Sequence, residues 1–301
     1  MMRDAAGMGG LVMGITVTPG ATSPRAVAPT MPARKLELVA GTRPHGTGNS
    51  ATFGYSLRER GQEVARLGEM TSPPIVLTQN EPVEISIVNH LTDPTAVHWH
   101  GIELDSYYDG VAGWGGEGRQ VTPPVAAGGS FVARFTPRAG TFIYHTHWHD
   151  RLQLTKGLYG PLIILPAGQR FDPETDKVIV ISIDGPEEKK DAVLVNGSSH
   201  PKPRTLRAGT TYRFRFINIT ADNPSMRVAL RDGDTPVMWR PIAKDGADLP
   251  LSQRTSVRAE RRVSVGETFD FEFTAAQPRV LRLDVLRPAD NSHVITTVNV
   301  R

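Results

Sequence analysis

The chain of 301 residues contains no cysteine. That absence excludes disulfides, thiolate nucleophiles, zinc ribbons, iron–sulfur clusters and every thiolate-ligated metal centre within this sequence. A dominant charge is missing too: 34 basic residues stand against 31 acidic ones, for a formal net charge of +3. They are spread along the chain, so no nucleic-acid surface is read from them. No apolar run approaches the roughly 20 residues that span a bilayer. No amphipathic pattern of about 12 residues points to a long helix.

What is abundant is Gly (29) and Pro (24). Together they exceed their usual share of about 12% and favour short strands joined by turns. Hydrophobic residues make up 39%, enough for a core. At roughly 150 residues per domain, the length suggests two domains. Residues 18–34 are rich in Pro, Ala, Ser and Thr and read as an extended linker. From Lys35 onward, period-two alternation recurs: Lys35–Val39, Val83–Ile87 and Phe131–Phe135, then Tyr212–Phe216, Phe269–Phe273 and Val280–Val285. Each such run places one face on a core and the other on solvent. Asn196-Gly197, Asp232-Gly233 and Asp245-Gly246 mark turns between them. The expectation is an all-β chain of two sandwiches, over 35–168 and 169–301, behind a tail and linker at 1–34.

Five of the nine histidines fall in two groups, His98-Trp99-His100-Gly101 and His145-Thr146-His147-Trp148-His149. In a strand, residues i and i+2 share a face about 7 Å apart. His98 and His100 are therefore expected to project together, and so are His145 and His147. On adjacent strands, four imidazoles would surround one small volume, which suits neighbouring metal ions better than one tetrahedral ion. Imidazole serves Zn, Cu, Fe and Ni alike, so the residues alone do not select the metal. His149 continues the same parity, with ligating, supporting and surface roles all open. His45, His90, His200 and His293 are isolated and read as surface or loop residues. Met226, Met238 and Trp239 show no ligand spacing, and Met238-Trp239 reads as core.

His98-Trp99-His100-Gly101 with Ile102-Glu103-Leu104 resembles the first copper motif of the multicopper oxidases, the laccase-like family. Gly140-Thr141-Phe142-Ile143-Tyr144-His145-Thr146-His147 resembles the second motif, and Gly157–Ile163 the strand after it. The resemblance is dense from about Glu81 to Pro166. It continues more loosely through Leu194–Gly197 and Tyr212–Asn218. It implies two cupredoxin-like Greek-key β-sandwich domains and a copper cofactor at type 2 and type 3 sites. His98 would bind the type 2 copper. His100 would share one type 3 copper with His145, and His147 would bind the other. Asp109 would be the acid that orients the type 2 site and supplies protons. On its residues alone, Asp109-Gly110 reads equally as a turn.

The same resemblance defines what is missing. The family's trinuclear cluster takes eight histidines from two domains, and four match here. The other four come with a His-Cys-His motif whose thiolate admits electrons. A complementary domain or subunit is thus implied, with dioxygen and a small reducing substrate. A homo-oligomer facing two four-histidine sets would supply eight histidines and still no thiolate. The implied activity is oxidation of a phenol, amine or metal ion coupled to reduction of dioxygen to water. The alternative is a non-catalytic copper-binding pair holding half a site. Ala5–Ile15 resembles the segment after His-Cys-His, with Met8 as the axial methionine, while the overlapping run Gly10–Val17 also reads as a short secretory apolar stretch. The family favours a periplasmic or secreted location.

Overall fold

The computed structural model describes residues 31–43, 53–67, 70–117, 120–184, 192–221 and 225–301. Most of the tail and linker, with Met8 and His45, therefore lies outside the described residues.

The alternating runs become strands. Val83–Asn89 alternates buried and half-buried positions along its whole length. It joins Arg34–Thr42, Phe53–Glu59, Gln62–Glu63 and Ser130–Phe135 in a five-stranded sheet. Arg60 and Gly61 turn the hairpin between the second and third of these with positive φ (51° and 78°), which a glycine tolerates without cost. A four-stranded sheet lies against it, ordered Ile75–Thr78, Tyr159–Leu165, Gly140–Thr146, Val97–His100. Leu38, Ile85, Trp99, Tyr144 and Leu162 from both sheets share one core. Parallel pairings, such as Arg34–Thr42 with Val83–Asn89, show that the chain crosses between sheets rather than meandering.

A second sandwich follows. Its seven-stranded sheet includes Asp176–Asp184, Thr211–Asn218, Thr268–Thr274 and Met238–Lys244. Its six-stranded sheet includes Met226–Asp232, Arg279–Arg287 and Ser292–Val300. The core between them is aromatic: Trp239 stacks on Phe271 at 4.0 Å between ring centroids. Met238 departs from expectation. It is 52% exposed, because alternation puts it on the face opposite its buried neighbour Trp239. The only α-helix among the described residues is Asp150–Thr155. No helix there is long and apolar enough to cross a membrane.

The two sandwiches are joined by an apolar seam. Ile143, Tyr159, Ile163 and Leu165 of the four-stranded sheet pack with Val178, Val180, Ile217 and Ile219 of the seven-stranded one. Both sheets are therefore covered on both faces along the seam. The histidine-bearing strand Gly140–Thr146 runs through it.

Candidate metal centre

Strand Val97–His100 alternates buried and half-buried positions. Val97 and Trp99 enter the core, so His98 and His100 must share the other face. Trp99 packs on Phe135 with centroids 5.2 Å apart and belongs to the core. The antiparallel register sets His145 directly opposite His98. Ligand atoms of His98, His100 and His145 all lie within 4.8 Å of one another. Their rings are 5.3 to 5.6 Å apart between centroids.

His147 reaches the same volume by a different route. The strand ends at Thr146, so His147 does not extend it as the i+2 rule supposed. Its backbone N–H instead donates to the Ala96 carbonyl at 3.2 Å, beside the first histidine strand. The His147 ring is then 5.2 Å from that of His98 and 5.9 Å from that of His145. His149 is exposed, with φ 46°, at the start of helix Asp150–Thr155. It belongs to the turn rather than to the cluster.

Two rings are held by carbonyl oxygens. His98 Nδ1 donates to the Asp109 backbone carbonyl at 2.9 Å, and an Asp109 carboxylate oxygen lies 3.3 Å from the same nitrogen. His145 Nδ1 donates to the Thr146 carbonyl at 2.7 Å. A nitrogen that donates carries the proton, so Nε2 of each ring keeps its lone pair. The turn at Asp109 is a close approach: Gly110 has φ 80°, and a Cβ there would overlap the Val97 carbonyl. The aspartate is thus both a turn residue and the partner of His98.

The arrangement fits a metal on its own evidence. His145 is 7% exposed, and its Nε2 is buried with no hydrogen-bond partner. Such an orphan is costly unless something accepts its lone pair. Burial drives the His145 imidazole well below its ordinary pKa, and the neighbouring His98 and His100 add to the effect. Burial and His98 push His147 down to about 4. His100 is lowered by burial and by His98, partly opposed by Asp245, Asp109 and the Gly266 backbone. A lowered imidazole pKa favours the neutral ring, so at pH 7 these three offer lone pairs rather than positive charge.

The second sandwich contributes a contact that no local pattern announced. Gly266, with φ 79°, sits where a Cβ would be 2.9 Å from His100 Cε1 and Nε2. In the sequence, Ser264-Val265-Gly266-Glu267 reads only as a turn. Gly266→Ala is expected to displace His100 and weaken metal binding about tenfold or more, the scale at which neighbours of metal ligands act. Gly209→Ala is the control, since Gly209 has φ 76° and nothing within 4 Å of its would-be Cβ. Equal copper affinities for the two variants would show that Gly266 does not seat His100.

Residues 56–169, which carry all four clustered histidines, match the multicopper oxidase domain family. Laccase-5 of Trametes villosa is 28% identical over 187 residues, covering 52% of this chain and 34% of that protein. The chain spans about a third of the length of the curated relatives it matches. In fold, a solved multicopper oxidase superposes with a TM-score of 0.70 at 18% identity, covering 89% of each chain. The multi-copper oxidase of Pseudomonas thermotolerans gives 0.69 at 21% identity, covering 90% of this chain and 64% of that one. The paired histidine motifs thus sit within the segment that matches the multicopper oxidase domain family, in a chain whose fold is that of solved multicopper oxidases.

Proposed function

We propose that this chain is the copper-binding part of an oxidase. It would couple one-electron oxidation of a small phenolic, amine or metal-ion donor to reduction of dioxygen to water. The observation that carries the reading is the buried, unpartnered Nε2 of His145 among the rings of His98 and His100. In this reading His98 holds a type 2 copper, His100 and His145 one type 3 copper, and His147 the other. Held there, adjacent copper ions would store electrons and deliver them together, which suits a four-electron reduction.

This chain's own residues do the positioning. The Asp109 carbonyl fixes the tautomer and direction of His98, and the Thr146 carbonyl does the same for His145. The Asp109 carboxylate, 3.3 Å from His98 Nδ1, is placed to hold and pass a proton at the edge of the site. The division into a metal-bearing unit over 35–168 and a supporting unit over 169–301 belongs to the same proposal. So does a periplasmic or secreted location. A complementary domain or subunit supplies the remaining histidines and the thiolate that admits electrons.

The test is to load the full chain with copper, count the metal, and follow oxygen uptake with a phenolic donor. Copper is expected to bind without the intense blue absorption of a copper–thiolate centre, because the chain has no cysteine. Oxygen uptake should require the complementary partner. Failure to bind copper would overturn the reading. Turnover by the chain alone would overturn the division of labour, and copper binding that no partner converts into turnover would support the non-catalytic alternative.

A further inference from the structure

A cavity of about 460 Å³ opens beside the seam between the sandwiches and shares no lining residue with the histidine site. Its volume falls in the range of small-molecule sites, roughly 300–1,000 Å³. Leu67 and Met70 reach it from the first sandwich's side, and Val178 and Pro203 from the second. Those four make an apolar wall. Three cations also line it, Lys177, Lys202 and Arg204.

Acid is scarce there. Asp176 is the one carboxylate among the described lining residues, and it already accepts from Arg215 Nε and Nη2 at 2.8 and 2.6 Å. The Asn196 amide is likewise committed, to the Val180 N–H and the Val178 carbonyl. Arg204 has no such partner: its Nε is buried with no acceptor within reach. Burial lowers its pKa with nothing to offset the cost. Lys177 lines the same cavity, and its pKa is lowered chiefly by burial, with Arg204 adding to the effect and Glu174 and Asp172 opposing it. A buried guanidinium N–H without an acceptor is costly to leave unmade.

We infer that this cavity is a binding site for a small organic anion, with a carboxylate-type head on Arg204 and Lys177 and an apolar body against Leu67, Met70 and Val178. A carboxylate is the acceptor that a guanidinium matches best, and one placed between two like charges relieves their repulsion. Because its walls come from both sandwiches, an occupant would also tie them together. Ligand that binds only the folded state raises the melting temperature with concentration.

The test uses the full chain and benzoate as probe, with acetate and sulfate as comparisons. Calorimetric titration is expected to show benzoate binding, at least about tenfold more tightly than acetate or sulfate, with a matching rise in melting temperature. Arg204→Gln should weaken benzoate about tenfold or more. Lys177→Gln should weaken it measurably, and it carries the test if the Arg204 variant does not fold. No heat from benzoate at millimolar concentration would overturn the inference. Sulfate binding as tightly as benzoate would overturn the apolar half of it. Unchanged affinity in the folded variants would overturn the assignment of the cations.

Discussion

Replacing His145 by alanine is expected to weaken copper binding by more than about 100-fold, the upper end of what altered neighbours of metal ligands produce. The apo protein should not unfold in consequence. His145 lies opposite His98 across the strand pair, with Nδ1 fixed on the Thr146 carbonyl and Nε2 buried without a partner. If the ring were ordinary core, its loss would leave a cavity and cost stability. As a metal ligand it costs the apo fold something instead, because an unsatisfied buried nitrogen is unfavourable by about 1–3 kcal/mol. Removing the ring offsets the cavity against that penalty, so apo stability should change little while affinity collapses. His200→Ala is the control: that ring is exposed and bonds to Ser199. Equilibrium copper titration and thermal unfolding of the apo variants separate the two outcomes. Unchanged copper affinity in His145→Ala would remove the ring from the ligand set.

Much of the clustering of these histidines is legible in the sequence, for a physical reason. Strand alternation is a local rule, and His98, Trp99 and His100 obey it within one four-residue strand. The antiparallel partner then supplied His145 at the matching register. The rule reached its limit at His147, where the strand had ended and a bond to Ala96 took over. It also misled where a sheet is covered on both faces. Phe269–Phe273 and Tyr212–Phe216 alternate apolar with charged residues, which predicts charges in solvent. Yet Asp270 is 1% and Arg215 3% exposed, because the first sandwich lies over that face. Neither Gly266 against His100 nor Asp270 against Thr141 was legible. Such pairs join residues more than 120 positions apart, and nothing in a local pattern encodes them.

That buried charge cluster yields the largest expected loss of stability. Asp270 Oδ2 accepts from Arg213 Nε and Nη2 at 2.8 and 2.6 Å, from Arg215 Nη1 at 3.0 Å and from Thr141 Oγ1 at 2.9 Å. Arg215 donates in turn to Thr141 Oγ1 at 2.8 Å and keeps Asp176 on its other side. Thr268 Oγ1 donates to the Thr141 carbonyl at 2.9 Å. Thr141 is the second residue of the strand that carries His145, and Thr268 follows the turn that holds Gly266 on His100. The cluster therefore sets the second sandwich's turn in register with the histidine strands. Asp270→Ala would leave Arg215 buried with half its compensation and would take away the acceptor of the Thr141 hydroxyl. Breaking a buried pair by removing one partner costs about 3–5 kcal/mol. Urea unfolding should show that loss, whereas removing the exposed Glu37 partner of Arg58 should change almost nothing. Asp270→Ala should also weaken copper binding under conditions where the variant remains folded, because Gly266 loses its fixed position against His100. A loss below about 1 kcal/mol would mean that Asp176 and water replace the carboxylate. Full stability loss with unchanged copper affinity would mean that the charge cluster joins the sandwiches without positioning the ligands.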